Sequence, residues 1–311
     1  MRVAVVDVGT NSTRLLVADI DSRGRIVELD RRTQVTRLGE GVDASGSLSR
    51  PGIARVQKAI AAYSKAIDEL DVDARIAVLT SAVRDSSNGA AFVATLRERY
   101  GLDARAISGE EEAQLTFLGA MSDRGGDDAE PTLVIDVGGG STELVVGVRG
   151  TVTFHVSLQL GVVRQTERHL HDDPPSAAEL RALSRDVRTL IERDVPVSER
   201  RGVRRAIAVA GTATSLAAID QALEPYDRSR VHGHRLALVT TRLLLARLAA
   251  LPLAERCETR GLHPDRAPTI VAGAVILIEV LEAFGLDEFE ASENDILRGA
   301  ALRRASLRPR G

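Results

Sequence analysis

The chain carries one tight-turn sequence twice. Asp7-Val8-Gly9-Thr10-Asn11-Ser12-Thr13-Arg14-Leu15 and Asp136-Val137-Gly138-Gly139-Gly140-Ser141-Thr142-Glu143-Leu144 each lie between two apolar runs. That is the pattern of a β-hairpin whose turn holds an acid, small residues and free backbone amides. A second pair repeats at nearly the same interval: Arg75-Ile76-Ala77-Val78-Leu79-Thr80-Ser81 against Arg205-Ala206-Ile207-Ala208-Val209-Ala210-Gly211. The turn copies lie 129 residues apart and the strand copies 130. Two matched pairs in register favour duplication of one module over a chance likeness of two hairpins. The fold is thereby constrained to two related halves whose copies face each other.

At 311 residues, with 44% hydrophobic and 27% charged side chains, the chain is globular in composition and long enough for two domains. Its net charge of −3 gives no global attraction to nucleic acid or an anionic membrane, so a polyanion site must be a local concentration of positive charge. Cys257 is the only cysteine, which excludes an intrachain disulfide and a cysteine metal cage. Arg2 leads straight into an apolar strand ending at Asp7 rather than into a small-residue cleavage site, and no apolar run is long enough to span a bilayer. The expectation is a soluble cytoplasmic protein with no nucleic-acid or membrane partner.

Apolar patterning predicts strands over 2–7, 14–20 and 26–38, then a helix over 51–70 begun by Ser49 and Pro51. A strand over 75–80, a helix over 89–100, a strand over 104–108 and a helix over 110–121 follow. The Asp- and Gly-rich stretch 122–131 reads as a linker. The plan then repeats, with strands over 132–136, 143–148 and 151–158, helices, and a strand ending at Ala210; helices close the chain over 236–251, 269–284 and 295–304. Three strands followed by alternating helices and strands define an α/β layer domain. We expect an N-terminal domain over 1–124 and a C-terminal domain over 125–311, with the last helix packing back on the first.

In the first turn Gly9 permits close backbone approach, while Thr10, Asn11 and Ser12 carry donors suited to phosphoryl oxygens. The second turn runs from Gly138, Gly139 and Gly140 into Ser141 and Thr142, and consecutive amides of this kind form an anion nest. Glycines and hydroxyls also serve a turn for its own sake, and the residues alone leave both readings open. Charge inverts between the copies, Arg14 standing where the second has Glu143, so one turn suits clamping phosphate and the other organising metal or water. Asp7 and Asp136 each end a buried strand, where an unpaired carboxylate is costly. Either they cap amides or they hold a cation, and Mg²⁺ needs only one or two carboxylates beside water and phosphate oxygens.

Ser108-Gly109-Glu110-Glu111-Glu112-Ala113 sets three acids at a helix start, where each complements the helix dipole by roughly 0.3–1 kcal/mol. The same position suits activation of water. Thr80-Ser81-Ala82-Val83-Arg84-Asp85 puts donors and an arginine just beyond a strand end, where open α/β sheets bind ligands. Arg84 suits either a fork onto a phosphoryl group or a surface pair with Asp85. The pairs His169/His171 and His232/His234 have no third ligand nearby in sequence, which disfavours zinc.

With these residues assembled, the chain resembles the exopolyphosphatase and guanosine pentaphosphate phosphohydrolase family, within the actin, sugar kinase and Hsp70 ATPase superfamily. The similarity runs through Asp7 to Ser12, Thr80 to Asp85 with Asn88, Gly109 to Ala113 and Asp136 to Glu143. It continues through Gly161 with Val163, Arg164, Thr166 and Glu167, then Ala210-Gly211-Thr212, His263 to Arg266, Ala272-Gly273 and Leu297-Arg298-Gly299. The resemblance implies two duplicated actin-like (ribonuclease H-like) α/β domains with an active-site cleft between them. It also implies hydrolysis of a terminal phosphoanhydride, with water activated by Glu112 and with Mg²⁺ and the attacking water at Asp136 and Glu143.

The expected catalytic residues are Glu112, Glu143 and Arg84, and the expected metal ligands are Asp136, Glu143 and Asp7. The expected substrate contacts in the first half are Asn11, Ser12, Arg14, Thr80 and Ser81; in the second they are Gly138, Gly139, Gly140, Ser141, Thr142, Gly211 and Thr212. Inorganic polyphosphate is the first-choice substrate and guanosine pentaphosphate the alternative; a catalytically weak sensor of either is the reading from another class. Two departures stand out. Some family members place cysteine where Val162 stands, and the chain ends without the helical extension of longer relatives, so the expected preference is for short polyphosphate. A homodimer is expected by analogy with relatives.

Overall fold

The computed structural model describes residues 1–124 and 129–307. The chain forms two compact units, one of Met1–Ser122 joined by the segment from Asp295 onward, the other of Asp123–Asn294. Part of the expected linker, 125–128, lies outside the described residues.

In the first unit the apolar alternation of the opening residues becomes a hairpin of β1 (Arg2–Val8) and β2 (Ser12–Ile20), extended by β3 (Ile26–Val35). A single-turn α1 (Val42–Ser45) precedes α2 (Arg50–Glu69), which Ser49 caps by accepting from the Gly52 amide, with Pro51 in the first turn. There follow β4 (Ala74–Leu79), α3 (Ser81–Arg84), α4 (Gly89–Tyr100), β5 (Asp103–Ala106) and α5 (Gly109–Ala120). The sheet order is β3-β2-β1-β4-β5, antiparallel through the first three strands and parallel from β1 to β5. Alternation sends Ala4, Val6 and Val8 to one side, against Ile60, Tyr63 and Leu96, and Val3 and Val5 to the other. Asp7 follows Val3 and Val5, and Arg14, directly across the ladder, shares its side.

The second unit repeats this plan with β6 (Thr132–Val137), β7 (Thr142–Val148), β8 (Thr151–Leu158), α6 (Val162–His169), α7 (Ala177–Asp194), α8 (Val197–Arg200) and β9 (Arg205–Val209). It continues through α9 (Ala210–Asp220), α10 (Arg228–Val231), β10 (Arg235–Ala237), α11 (Leu238–Ala249), α12 (Leu253–Cys257), a 3₁₀ turn, α13 (Ile270–Phe284) and β11 (Glu288–Ala291). The sheet order is β10-β11-β9-β6-β7-β8. Strands β8-β7-β6-β9 repeat the neighbours and directions of β3-β2-β1-β4, and Asp136 faces Glu143 in the register that sets Asp7 opposite Arg14. Helix α13 is buried on nearly every side, as expected of a helix whose charged residues are Glu279 and Glu282 alone. Among the described residues no helix is long and apolar enough to cross a membrane.

Two expectations change. The helix predicted over 236–251 starts at Leu238, because Leu236 is buried in the short edge strand β10, paired to β11. Strand β3 ends at Val35 instead of 38, since the Thr36 and Arg37 amides both turn to the Asn11 carbonyl. By contact, the second unit ends at Asn294 and α14 (Ile296–Ser306) groups with the first unit.

There Ile296, Leu297, Ala300 and Ala301 of α14 share a core with Val3, Val5, Leu16 and Leu115. Helices α5 and α14 meet backbone to backbone through two glycines. A Cβ on Gly119 would lie 1.9 Å from the Asp295 carbonyl oxygen, and one on Gly299 would lie 1.8 Å from that of Leu115. Gly299→Ala is expected to lower stability by about 1–3 kcal/mol, since neither helix can yield without disturbing the core. Urea unfolding measures this, and an unchanged midpoint would mean that the helices separate freely.

Candidate active site

In the first unit the Gly9 amide closes the β1–β2 turn on the Ser12 carbonyl at 2.9 Å. The Thr10 carbonyl accepts from Gly39, and the Asn11 carbonyl from Thr36 and Arg37. A trans peptide sets each carbonyl opposite the next N–H, so these bonds turn the Asn11 and Ser12 amides the other way. Thr10 Oγ1 and Ser81 Oγ lie 2.8 Å apart, which ties the turn to the start of α3, and Thr80 and Ser81 are both buried there.

Arg84 ends α3 and donates through Nη1 to Glu112 Oε2 at 2.9 Å and to the Ile107 carbonyl at 3.1 Å; its Nε is 3.5 Å from Asp85. The pair with Asp85 is thus present, beside a closer one with Glu112. Helix α5 is capped by Ser108, which accepts from Glu111, and burial sorts its three acids. Glu110 is exposed, Glu111 pairs with Arg105 at 2.5 Å, and Glu112, 6% exposed, faces Arg84.

Arg14 is held from two sides. Its Nε and Nη2 donate to Asp7 Oδ2 at 2.8 and 2.6 Å, and its Nη1 donates to Asp295 Oδ2. Burial, together with the nearby Asp295 charge, holds the Asp7 carboxyl above the usual carboxylate range despite Arg14. Burial acts in the same direction on Asp295, but Arg14, Arg31 and the Leu297 amide together outweigh it and hold that carboxyl below the usual range. Of the atoms Asp7 could offer a cation, Oδ2 is committed to Arg14; buried Oδ1 accepts no hydrogen bond.

In the second unit the corresponding turn is pinned from behind by α6. The Gly138 carbonyl accepts from the Val162 amide and the Gly139 carbonyl from Val163, both at 2.9 Å, while the Gly140 carbonyl takes Arg164 Nε, also at 2.9 Å. By the same peptide geometry, the Gly139, Gly140 and Ser141 amides point away from α6. Three successive amides are thereby directed to one side, the arrangement that an anion nest requires. Thr142 spends its hydroxyl on the Leu160 carbonyl.

Glu143, 1% exposed, accepts at Oε1 from Ser141 Oγ (2.7 Å) and Ser157 Oγ (2.8 Å), and Asp136 stands across the ladder. Just beyond the end of β9, Gly211, the second residue of α9, lies beneath the Arg266 guanidinium: a Cβ there would lie 1.2 Å from Nη1. Thr212 lies against Gly273, whose Cβ would fall 2.6 Å from the threonine hydroxyl.

Three residues at these sites were not singled out from the sequence. Ser157 had a signal, since it pairs with Glu143 across β7 and β8. Arg266 entered only as part of the His263 to Arg266 resemblance, and Asp295 had none. His169 and His234 are spent on Asp186 (3.1 Å) and Asp220 (2.8 Å). Among the described residues no group of three or more His, Cys, Asp or Glu is placed to hold a metal. Asp136 and Glu143 would be a pair of carboxylate ligands, a set that fits Mg²⁺ completed by water and phosphate and does not fit a closed protein cage.

The comparisons agree with one another. A family model described as the Ppx/GppA phosphatase family matches residues 16–304. Exopolyphosphatase 2 of Mycobacterium tuberculosis strain H37Rv is 37% identical over 97% of this chain and 98% of that protein. Exopolyphosphatase 1 of Mycobacterium bovis is 33% identical over 98% of this chain and 88% of that protein. The crystal structure of an exopolyphosphatase-like protein superimposes with a TM-score of 0.91 at 34% identity, over 98% of this chain and 100% of that one. The Aquifex aeolicus family member gives 0.83 at 29% identity, over 98% of each. The two mixed sheets with flanking helices match these structures, which have the two-domain actin-like ATPase fold.

Proposed function

The chain belongs to the Ppx/GppA phosphatase family, and from that premise we propose that it is an exopolyphosphatase that releases orthophosphate from the end of inorganic polyphosphate. The observation that carries the reading is the buried Glu112 carboxylate held on Arg84. Binding a polyanion requires the arginine but gains nothing from a carboxylate beside it. Hydrolysis requires both.

The arriving terminal phosphoryl group competes with Glu112 for Arg84. As the guanidinium turns to phosphate oxygens, Glu112 Oε2 is released to accept a proton from water. That water attacks phosphorus in line, its oxygen forming the new P–O bond as the bridging P–O bond breaks and the electron pair leaves with the shortened chain. Catalysis here is positioning and charge stabilisation. In the first unit the Asn11 and Ser12 amides would supply fixed donors to phosphoryl oxygens, and in the second the Gly139, Gly140 and Ser141 amides would do the same. Asp136 and Glu143 would hold Mg²⁺, which when bound neutralises charge developing on the phosphate oxygens. The two hydroxyls on Glu143 Oε1 fix that side chain for the purpose.

The test is orthophosphate release with Mg²⁺ from short polyphosphate, long polyphosphate and guanosine pentaphosphate in parallel. Faster release from short polyphosphate than from either other substrate is expected. A preference for the nucleotide would move the activity to guanosine pentaphosphate 5′-phosphohydrolysis. Tight binding of polyphosphate without turnover would replace the enzyme by a sensor.

A further inference from the structure

We propose that Asp295 is a positioning residue for the phosphate turn of the first unit, acting through Arg14. This rests on the reading of that turn as a phosphate site. Asp295 lies 281 positions from Arg14 in sequence, yet its Oδ2 accepts from Arg14 Nη1 and, at 3.2 Å, from Arg31 Nη2. The other carboxylate oxygen caps α14 by accepting from the Leu297 amide at 3.1 Å. Asp7 grips the opposite edge of the Arg14 guanidinium. One buried carboxylate on each side leaves a guanidinium little freedom to turn, and that is what presenting fixed donors to a phosphoryl oxygen requires.

The placement of Asp295 is rigid for a separate reason. The glycine contacts of Gly119 and Gly299 lock α14 against α5, the helix that carries Glu112, with the Asp295 carbonyl itself in the Gly119 contact. The helix bearing the proposed base and the arginine of the turn are therefore referred to one fixed point. Asp295 is also the shared counter-charge of two arginines. Without its charge, Arg14 keeps Asp7 and Arg31 keeps Glu28 as counter-charge, but the restraint on the Nη1 edge of Arg14 is weakened and the repulsion between the two guanidinium groups is less screened.

Asp295→Asn separates this role from capping, since asparagine caps a helix as well as aspartate does. The variant is expected to raise KM for tripolyphosphate, and its dissociation constant measured calorimetrically in a Glu112→Gln background, by roughly tenfold, with kcat changed by no more than about twofold. In an Arg14→Gln background the same substitution is expected to add nothing, because its effect runs through that arginine.

An unchanged KM and dissociation constant, or an equal penalty with and without Arg14, overturns the proposal. If the unaltered protein neither binds nor cleaves tripolyphosphate, the functional reading falls and this inference with it. If that protein binds and Asp295→Asn binds equally well, only this inference falls. Asp295→Ser, which also caps without charge, takes the place of the asparagine variant should that one fail to fold.

Discussion

Glu112→Gln is expected to reduce phosphate release from polyphosphate by about 10³- to 10⁴-fold, the upper part of the range for removing a general base. Glutamine has nearly the same shape and keeps an oxygen for Arg84, but it takes no proton from water at neutral pH. The change is made at a largely buried pair, with side chains 22% and 8% exposed, so a stability loss of about 1–3 kcal/mol is expected as well. The two effects separate readily. Urea unfolding gives the stability term, and single-turnover phosphate release at a concentration where the variant is fully folded gives the chemical one. Binding of polyphosphate is expected to persist, because Arg84 is retained and its partner no longer carries a competing negative charge. Activity within tenfold of the parent would assign the base to another residue.

The same residue shows where sequence stopped being sufficient. Glu110, Glu111 and Glu112 are alike as letters, and the helix dipole favours all three equally; only the family resemblance selected Glu112. The structure supplies the physical distinction, with one acid exposed, one paired to Arg105 and one buried against Arg84. The hairpins were readable because strand alternation and turn chemistry are local, and the duplicated register follows from them. Strands β10 and β11, three and four residues long, were not, because so short a run carries too few alternations to register. The position of Asp295 depends on α14 returning to the first unit and on close glycine contacts with α5, neither of which leaves a pattern in neighbouring residues. The amide directions in both turns were equally hidden, since they depend on which distant groups take the carbonyls.

That dependence gives the second large effect. Gly161→Ala is expected to cut turnover by about 100-fold or more, the cost of misplacing a positioning group by around 1 Å. A Cβ at this position would lie 2.1 Å from the Gly139 carbonyl oxygen and 2.3 Å from the Gly140 carbonyl carbon. Both are backbone, so no flexible side chain can swing aside. The start of α6 and the β6–β7 turn must separate, and the bonds from Val162, Val163 and Arg164 to the turn carbonyls lengthen or break. Once those carbonyls are released, nothing dictates the direction of the Gly139, Gly140 and Ser141 amides, and the fixed donors become an average over orientations. Because fixed donors act most strongly where charge develops, kcat should fall further than KM rises. Overpacking is expected to cost about 1–3 kcal/mol in addition. Steady-state phosphate release, corrected for the folded fraction from urea unfolding, tests this. A variant that is less stable but turns over within threefold of the parent would show that the glycine turn is needed for packing and that its amides do not carry the chemistry.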